Sequence, residues 1–281
     1  MSDAAPQRRI WLCADDYGLS AGVNRGIRDL IERGRLNATS VMVVGPAIDR
    51  GEIGALQAAA AGSPRCAIGL HVTLTAPFRP LTMHFRPLDG GMFLPFPKLL
   101  RAGLSRRLDP EIIHAEMVVQ LSTFAEMFGR MPDFVDGHQH AQLFPGVRDA
   151  FLTAVKQAAP TAWVRQGGRH QPLVRRLGAP KALVLDVLSA QFRRRALQAE
   201  IAFNPGFAGA YDFSRRPDFG ALMRQFLDGL PEHGLIMCHP GFVDDTLIGL
   251  DPFTIQREHE HAFLGGEHFP DLLAANKVTL A

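Results

Sequence analysis

"RIWLCADDYG", residues 9 to 18, decides how the rest of the chain is read. Its apolar run, Ile10 to Ala14, suits a buried β-strand, and the acids Asp15 and Asp16 fall where that strand gives way to a turn. The following "LSAGVNRGI" (19–27) reads as a helix start: Ser20 can cap the first turn, with Val23, Ile27, Leu30 and Ile31 on one buried face. Strand, polar turn and helix form one unit of a parallel α/β fold. Two adjacent carboxylates in a partly buried place are costly unless a positive charge meets them, because like charges disfavour joint ionisation.

The same order recurs along the chain. Candidate strands are 10–14, "ATSVMVV" (38–44), "AIGLHVTL" (67–74), "DFVD" (133–136), "AWVR" (162–165), "IAF" (201–203) and "LIMC" (235–238). Near-continuous apolar runs of this kind suit parallel strands covered on both faces. Helices are expected at 110–129, bounded by Asp109, Pro110 and Gly129, and at 146–159, 181–199 and 217–229. Seven or so βα units favour a barrel over an open doubly wound sheet, and "CADDYG" is no glycine-rich nucleotide loop.

The 281 residues, 47% hydrophobic and 21% charged, fit one large domain spanning 1–281, with no linker, repeat or low-complexity tract. A net charge of +2 argues against a nucleic-acid partner. The N-terminal stretch lacks the apolar core of a secretory signal, and no apolar run reaches the ~18 residues of a membrane span. Cys13, Cys66 and Cys238 are odd in number and far apart, so reduced thiols in a cytoplasmic protein are expected.

The unusual polar residues cluster at strand ends. Asp15 and Asp16 follow the first strand, His71 lies in the third, "DGHQH" places Asp136, His138 and His140 after the fourth, and "CHPGF" places His239 after the seventh. In a parallel barrel these ends open onto one face. One carboxylate with two imidazoles is a common ligand set for a divalent cation, and a second carboxylate can then act as base toward a water the cation acidifies. Spacing alone leaves His138 and His140 as alternatives, since residues i and i+2 of an extended chain point the same way. Arg165, after the fifth strand, has two readings: a contact to sugar hydroxyls or the oxyanion, or a partner for an acid. Glu116 and Gln120, four apart on one helix, read as an ordinary solvated pair.

Together, "ADDYGLSAGVNRGI", "GLHVTLT", "DGHQH…FPGV" and "CHPGF" resemble the YdjC-like (ChbG) carbohydrate deacetylases, in order, over about residues 9–245. The resemblance implies a distorted or incomplete (β/α) TIM-like barrel of polysaccharide-deacetylase type and metal-dependent removal of an N-acetyl group from an N-acetylglucosamine-type sugar. It implies Asp16, His71 and His138 as ligands of one divalent ion, magnesium or zinc. It further implies Asp15 as general base and His239 as general acid, with His140, Arg165 and Asp136 contacting substrate or supporting these groups. Many relatives read "DSHHH" where this chain has "DGHQH", so Gly137 and Gln139 depart from the pattern.

The segment 76–108, long and rich in Phe, Leu and Pro, suits a substrate loop. Segment 175–198 joins an apolar helical stretch to Arg193, Arg194 and Arg195, and reads either as a packed helix with a solvated basic end or as a peripheral contact with an anionic membrane. Both features are similar to the hopanoid-biosynthesis-associated (HpnK-like) branch, which implies N-acetylglucosaminyl bacteriohopanetetrol as substrate and a place at the inner membrane surface. A homodimer is a further expectation. The rivals are a soluble chitooligosaccharide deacetylase, an iron(II) oxygenase, which the βα order disfavours, and a non-catalytic sugar- or lipid-binding protein.

Overall fold

The computed structural model describes residues 7–62, 66–169, 180–213 and 217–280. Seven strands run in parallel: β1 (Arg8–Tyr17), β2 (Ala38–Val41), β3 (Ala67–Val72), β4 (Phe134–Gly137), β5 (Trp163–Val164), β6 (Phe207–Ala208) and β7 (Leu235–Cys238). Their order in the sheet is β5-β4-β3-β2-β1-β7-β6. Isolated parallel bridges, Val164 to Phe203 and Arg169 to Phe207, link the two ends of this order, so the sheet curls into a distorted barrel with a short seam. A further strand, β8 (Val278–Leu280), pairs in parallel with the start of β1.

The expected sixth strand at 201–203 is corrected to Phe207–Ala208. Between the two, the Asn204 side chain replaces backbone pairing, accepting from the Gln166 N–H (2.9 Å) and donating to the Gln166 carbonyl (3.2 Å). Pro205, next in line, has no N–H to give a ladder. At the other end of the sheet β3 and β4 lie close. A Cβ on Gly69 would sit 2.5 Å from the Phe134 ring, so this position of β3 takes only glycine.

Helices α1 (Ala21–Glu32), α2 (Arg50–Ala60), α3 (Phe96–Leu104), α4 (Pro110–Phe128), α5 (Arg148–Ala158), α6 (Pro180–Gln198) and α7 (Phe219–Leu227) intervene between the strands, and α8 (Asp245–Leu250), α9 (Ile255–Gly265) and α10 (His268–Ala275) follow β7. Ser20 caps α1 by accepting from the Val23 N–H, and Val23, Ile27 and Leu30 are fully buried beneath it. Each such side chain contributes roughly 1.5–3 kcal/mol by leaving water. Asp109 caps α4, and Gly129 ends it at φ 67, a left-handed conformation glycine adopts without strain.

One expectation changes. Glu116 and Gln120 are fully buried and do not form a solvated pair. Glu116 accepts from the N–H groups of Leu81 (3.0 Å) and Thr82 (2.9 Å) and from the Thr82 hydroxyl, while Gln120 bonds both backbone groups of Thr73. Together they fasten the start of segment 76–108 to α4. In α6, Leu188, Ser189, Phe192 and Ala196 are buried, while Arg194, Arg195 and the apolar Val184, Val187 and Leu197 are exposed. Residues 175–179 of that segment lie outside the described residues. Among the described residues no helix is long and apolar enough to cross a membrane. Cys13, Cys66 and Cys238 are buried and unbridged.

Candidate metal centre

A β-bulge places the two acids of β1 side by side in one site. Neighbouring residues in a regular strand point to opposite faces. Here Cys13 and Ala14 pair with Ala38 and Thr39, but Tyr17 pairs with Val41, so Asp15 and Asp16 together oppose Ser40 alone. Asp16 takes φ 71, which Asp tolerates better than most residues. The extra residue turns both carboxylates toward one cavity of about 390 Å³ at the C-terminal ends of the strands.

Three donors converge beside Asp16. The His71 Nε2 lies 3.3 Å and the His138 Nδ1 3.0 Å from Asp16 Oδ1, and ligand atoms of the three residues all lie within 4.8 Å of one another. Strand register explains His71: it sits directly opposite Asp136 across β3 and β4, and its Nδ1 is 2.6 Å from Asp136 Oδ1. A carboxylate holding one ring nitrogen leaves the other aimed at the cluster, an arrangement that orients histidine ligands in metal sites. The second Asp16 oxygen accepts from Arg257 Nη2 at 2.7 Å. Burial alone would raise the Asp16 pKa, but Arg257 and His138 hold it well below the usual carboxylate range.

The other acid has different company. Arg165 grips Asp15 with two parallel bonds of 2.6 and 2.7 Å and reaches Asp136 Oδ2 at 3.2 Å. Burial opposes ionisation of Asp15, yet Arg165 and His71 outweigh it and bring the pKa down to about 2. Arg165 is itself fully buried, and in this structure the acid-partner reading is the one realised. Cys13, Asp15 and Asp136 also lie close enough to hold an ion, but Arg165 already compensates the carboxylates, and burial keeps the Cys13 thiol protonated.

His138 and His140 are not interchangeable. β4 ends at Gly137, and a 3₁₀ turn (His138–Leu143) follows in which Gln139 and His140 take φ 54 and 57. The extended geometry that would align i and i+2 is gone. His138 turns to Asp16, whereas His140 packs edge-on against Phe207 at 5.5 Å, with a buried Nδ1 that lacks a hydrogen-bond partner. Burial and the nearby Arg165 push the His140 pKa down to about 3, so it lines the cavity as a neutral imidazole.

His239 follows β7, its Nε2 4.0 Å from Asp15 Oδ2. Burial lowers its pKa. The sequence reading missed several residues around it: Arg257, Glu260, and the cavity-lining aromatics Tyr211, Phe213 and Phe253. Arg257 and Glu260 lie in the charged run "QREHEH", whose composition reads as a solvated helix face. Nothing in the local pattern separates Arg257 and Glu260 from their exposed neighbours Glu258 and His259.

The donor set fits a divalent cation. Asp15, Asp16, Asp136 and Asp251 bring four negative charges against the two of Arg165 and Arg257. An excess of acidic groups remains for a cation to meet. Without it His71 takes up part of the excess: burial disfavours its charged form, but Asp136 and Asp15 raise its pKa to about 10.

A family model described as "YdjC-like protein" matches residues 9–275. A chitooligosaccharide deacetylase of Escherichia fergusonii is 29% identical over 256 residues, covering 86% of this chain and 84% of that protein. Among solved structures, a protein from Enterococcus faecalis V583 with a suggested role in cellobiose-phosphate cleavage superposes with a TM-score of 0.74 at 19% identity, covering 98% of this chain and 97% of that one. A family 4 carbohydrate esterase from Streptomyces lividans, in complex with acetate, gives 0.50 at 10% identity over 99% and 93%. At these identities the structural likeness speaks for the barrel alone.

Proposed function

The chain belongs to the YdjC-like family, and from that premise we propose that it is a hydrolase removing an N-acetyl group from an amino sugar, with a short chitooligosaccharide as the favoured substrate class. The observation that carries the reading is the convergence of Asp16, His71 and His138 beside Asp15 and His239 in one cavity. The 29% identical deacetylase supports the sugar. A zinc or magnesium ion held by Asp16, His71 and His138 would polarise the acetyl carbonyl and acidify a water molecule.

The chain's own groups then move the proton. Asp15, kept ionised by Arg165, takes it from the attacking water. His239, 4.0 Å away, carries it to the departing nitrogen. An amine is a poor leaving group until protonated, and burial, which lowers the pKa of His239, makes its imidazolium a stronger acid toward that nitrogen. Water thus adds its oxygen to the acetyl carbon, the C–N bond breaks, and acetate and a free amine leave. Asp136 orients His71, and the neutral His140 offers a hydrogen bond to the sugar or the acetyl group. The start of segment 76–108, anchored by Glu116, supplies Pro77 and Phe78 as one wall.

A second reading replaces the soluble sugar with one carrying a lipid, such as N-acetylglucosaminyl bacteriohopanetetrol. It is favoured by the apolar residues Leu81 and Phe253, each 40% exposed, which line two adjoining cavities that share Pro77, Phe78 and Leu250. Acetate release by zinc-loaded protein from diacetylchitobiose and from the hopanoid, measured side by side, tests both. Turnover of diacetylchitobiose that chelation abolishes is the expected result. Metal-loaded, folded protein inert on every N-acetyl sugar would leave only a binding role.

A further inference from the structure

We infer that Glu260, on α9, is a positioning residue that fixes His239 for proton delivery to the leaving nitrogen. The inference rests on the reading of His239 as the acid given above. Glu260 is fully buried, and its two carboxylate oxygens have separate tasks. Oε2 accepts from the His239 backbone N–H and Oε1 from the Tyr211 hydroxyl, each at 2.5 Å. His239 is the first residue beyond β7, where the chain leaves the sheet and the ladder no longer fixes its direction. Its Nδ1 is buried without a hydrogen-bond partner, so no side-chain bond orients the ring from behind. The bond to its main chain takes over that task.

The rest of the loop is tied to the same helix. Gly241 N–H donates to the Arg257 carbonyl at 3.2 Å, and Arg257, one turn before Glu260, reaches Asp16 at 2.7 Å. One helix therefore spans the two sides of the cavity, holding the proposed ligand with one residue and the proposed acid with another. Tyr211, whose hydroxyl Glu260 accepts, itself lines the cavity. Burial has a known cost for such a carboxylate and raises the Glu260 pKa to about 7. Retaining it there, with two short bonds made to it, fits a role in placement more closely than one in packing.

The test compares two leaving groups in zinc-loaded wild type, Glu260→Ala, Glu260→Gln and His239→Ala. Diacetylchitobiose must have its leaving nitrogen protonated, whereas 4-nitrophenyl acetate expels a phenolate that needs no proton. Glu260→Ala is expected to lose about 10–100-fold in kcat on the sugar, the cost of a misplaced catalytic group, with KM and zinc content unchanged and little loss on the ester. Glu260→Gln, which keeps the shape and one acceptor, should fold as wild type and show a smaller loss of the same selectivity. The His239 amide proton, shifted downfield by the carboxylate, should move upfield in Glu260→Gln whatever the activity. Equal losses on both substrates while His239→Ala remains selective, or an unmoved amide resonance, would overturn the positioning role and leave the proposed function standing. If His239→Ala itself loses both substrates equally, the acid assignment fails and the positioning role falls with it.

Discussion

Asp15 and Asp16 are neighbours in the chain, and each meets a buried arginine in a different way. On the Asp15 side both carboxylate oxygens are taken by a rigid guanidinium, and the nearest histidine stands 4.0 Å away. On the Asp16 side one oxygen is held by Arg257, and the other faces two imidazole nitrogens at 3.0 and 3.3 Å. A bulge of one residue creates the difference, because it lets consecutive side chains enter the same cavity from different angles. Identical acids are thereby divided: one stays ionised beside a fixed cation, and the other leaves an oxygen among donors where a mobile cation can sit.

The division makes separable predictions, taken from the largest effect down. Asp16→Ala or His71→Ala should lose the bound ion and with it all measurable deacetylation, as metal analysis and acetate release would register together. Asp15→Asn should keep the ion and still lose about 10²–10⁴-fold in kcat, the typical worth of a placed acid or base. If Asp15→Asn also loses the ion, the two sides are not distinct. Arg165→Met should strand Asp15 and Asp136 without their cation and cost about 3–5 kcal/mol in denaturant unfolding, as breaking a buried pair does. A change near zero would mean that the pair is solvated in solution.

The smallest effect concerns the helix that touches both sides. Glu260, raised by burial from 4.5 to about 7, binds its proton more tightly in the folded than in the unfolded protein. Its protonation therefore contributes stability that is fully present below about pH 4.5 and is lost as the pH climbs toward 7. The difference in stability between wild type and Glu260→Gln should shift against wild type across that interval and level off above it. A difference independent of pH would show that Glu260 does not titrate there.

The βα order and the polar strand ends were legible because each strand carries its own apolar run and its chemistry sits at its C-terminal end, Asp16 in the last residues of β1 and His138 and His239 directly after β4 and β7. Residues 201–203 misled because the true β6 is two residues long and follows a side-chain substitute for pairing at Asn204. The i,i+4 spacing of Glu116 and Gln120 is the same whether water or a loop covers it, and segment 76–82 decides the matter from far away in the chain. Arg257 and Glu260 were hidden for the same reason. Their partners, Asp16 and His239, lie 241 and 21 residues distant, on the neighbouring strand ends of β1 and β7 that only the folded sheet puts side by side under α9.

Anomalous diffraction at the zinc edge, from crystals soaked in zinc, addresses the division between the two acids most directly. One strong peak is expected within bonding distance of Asp16, His71 and His138, with Asp15 still paired to Arg165. A peak bound by Asp15 or His140 instead, or none in the cavity at all, would contradict it.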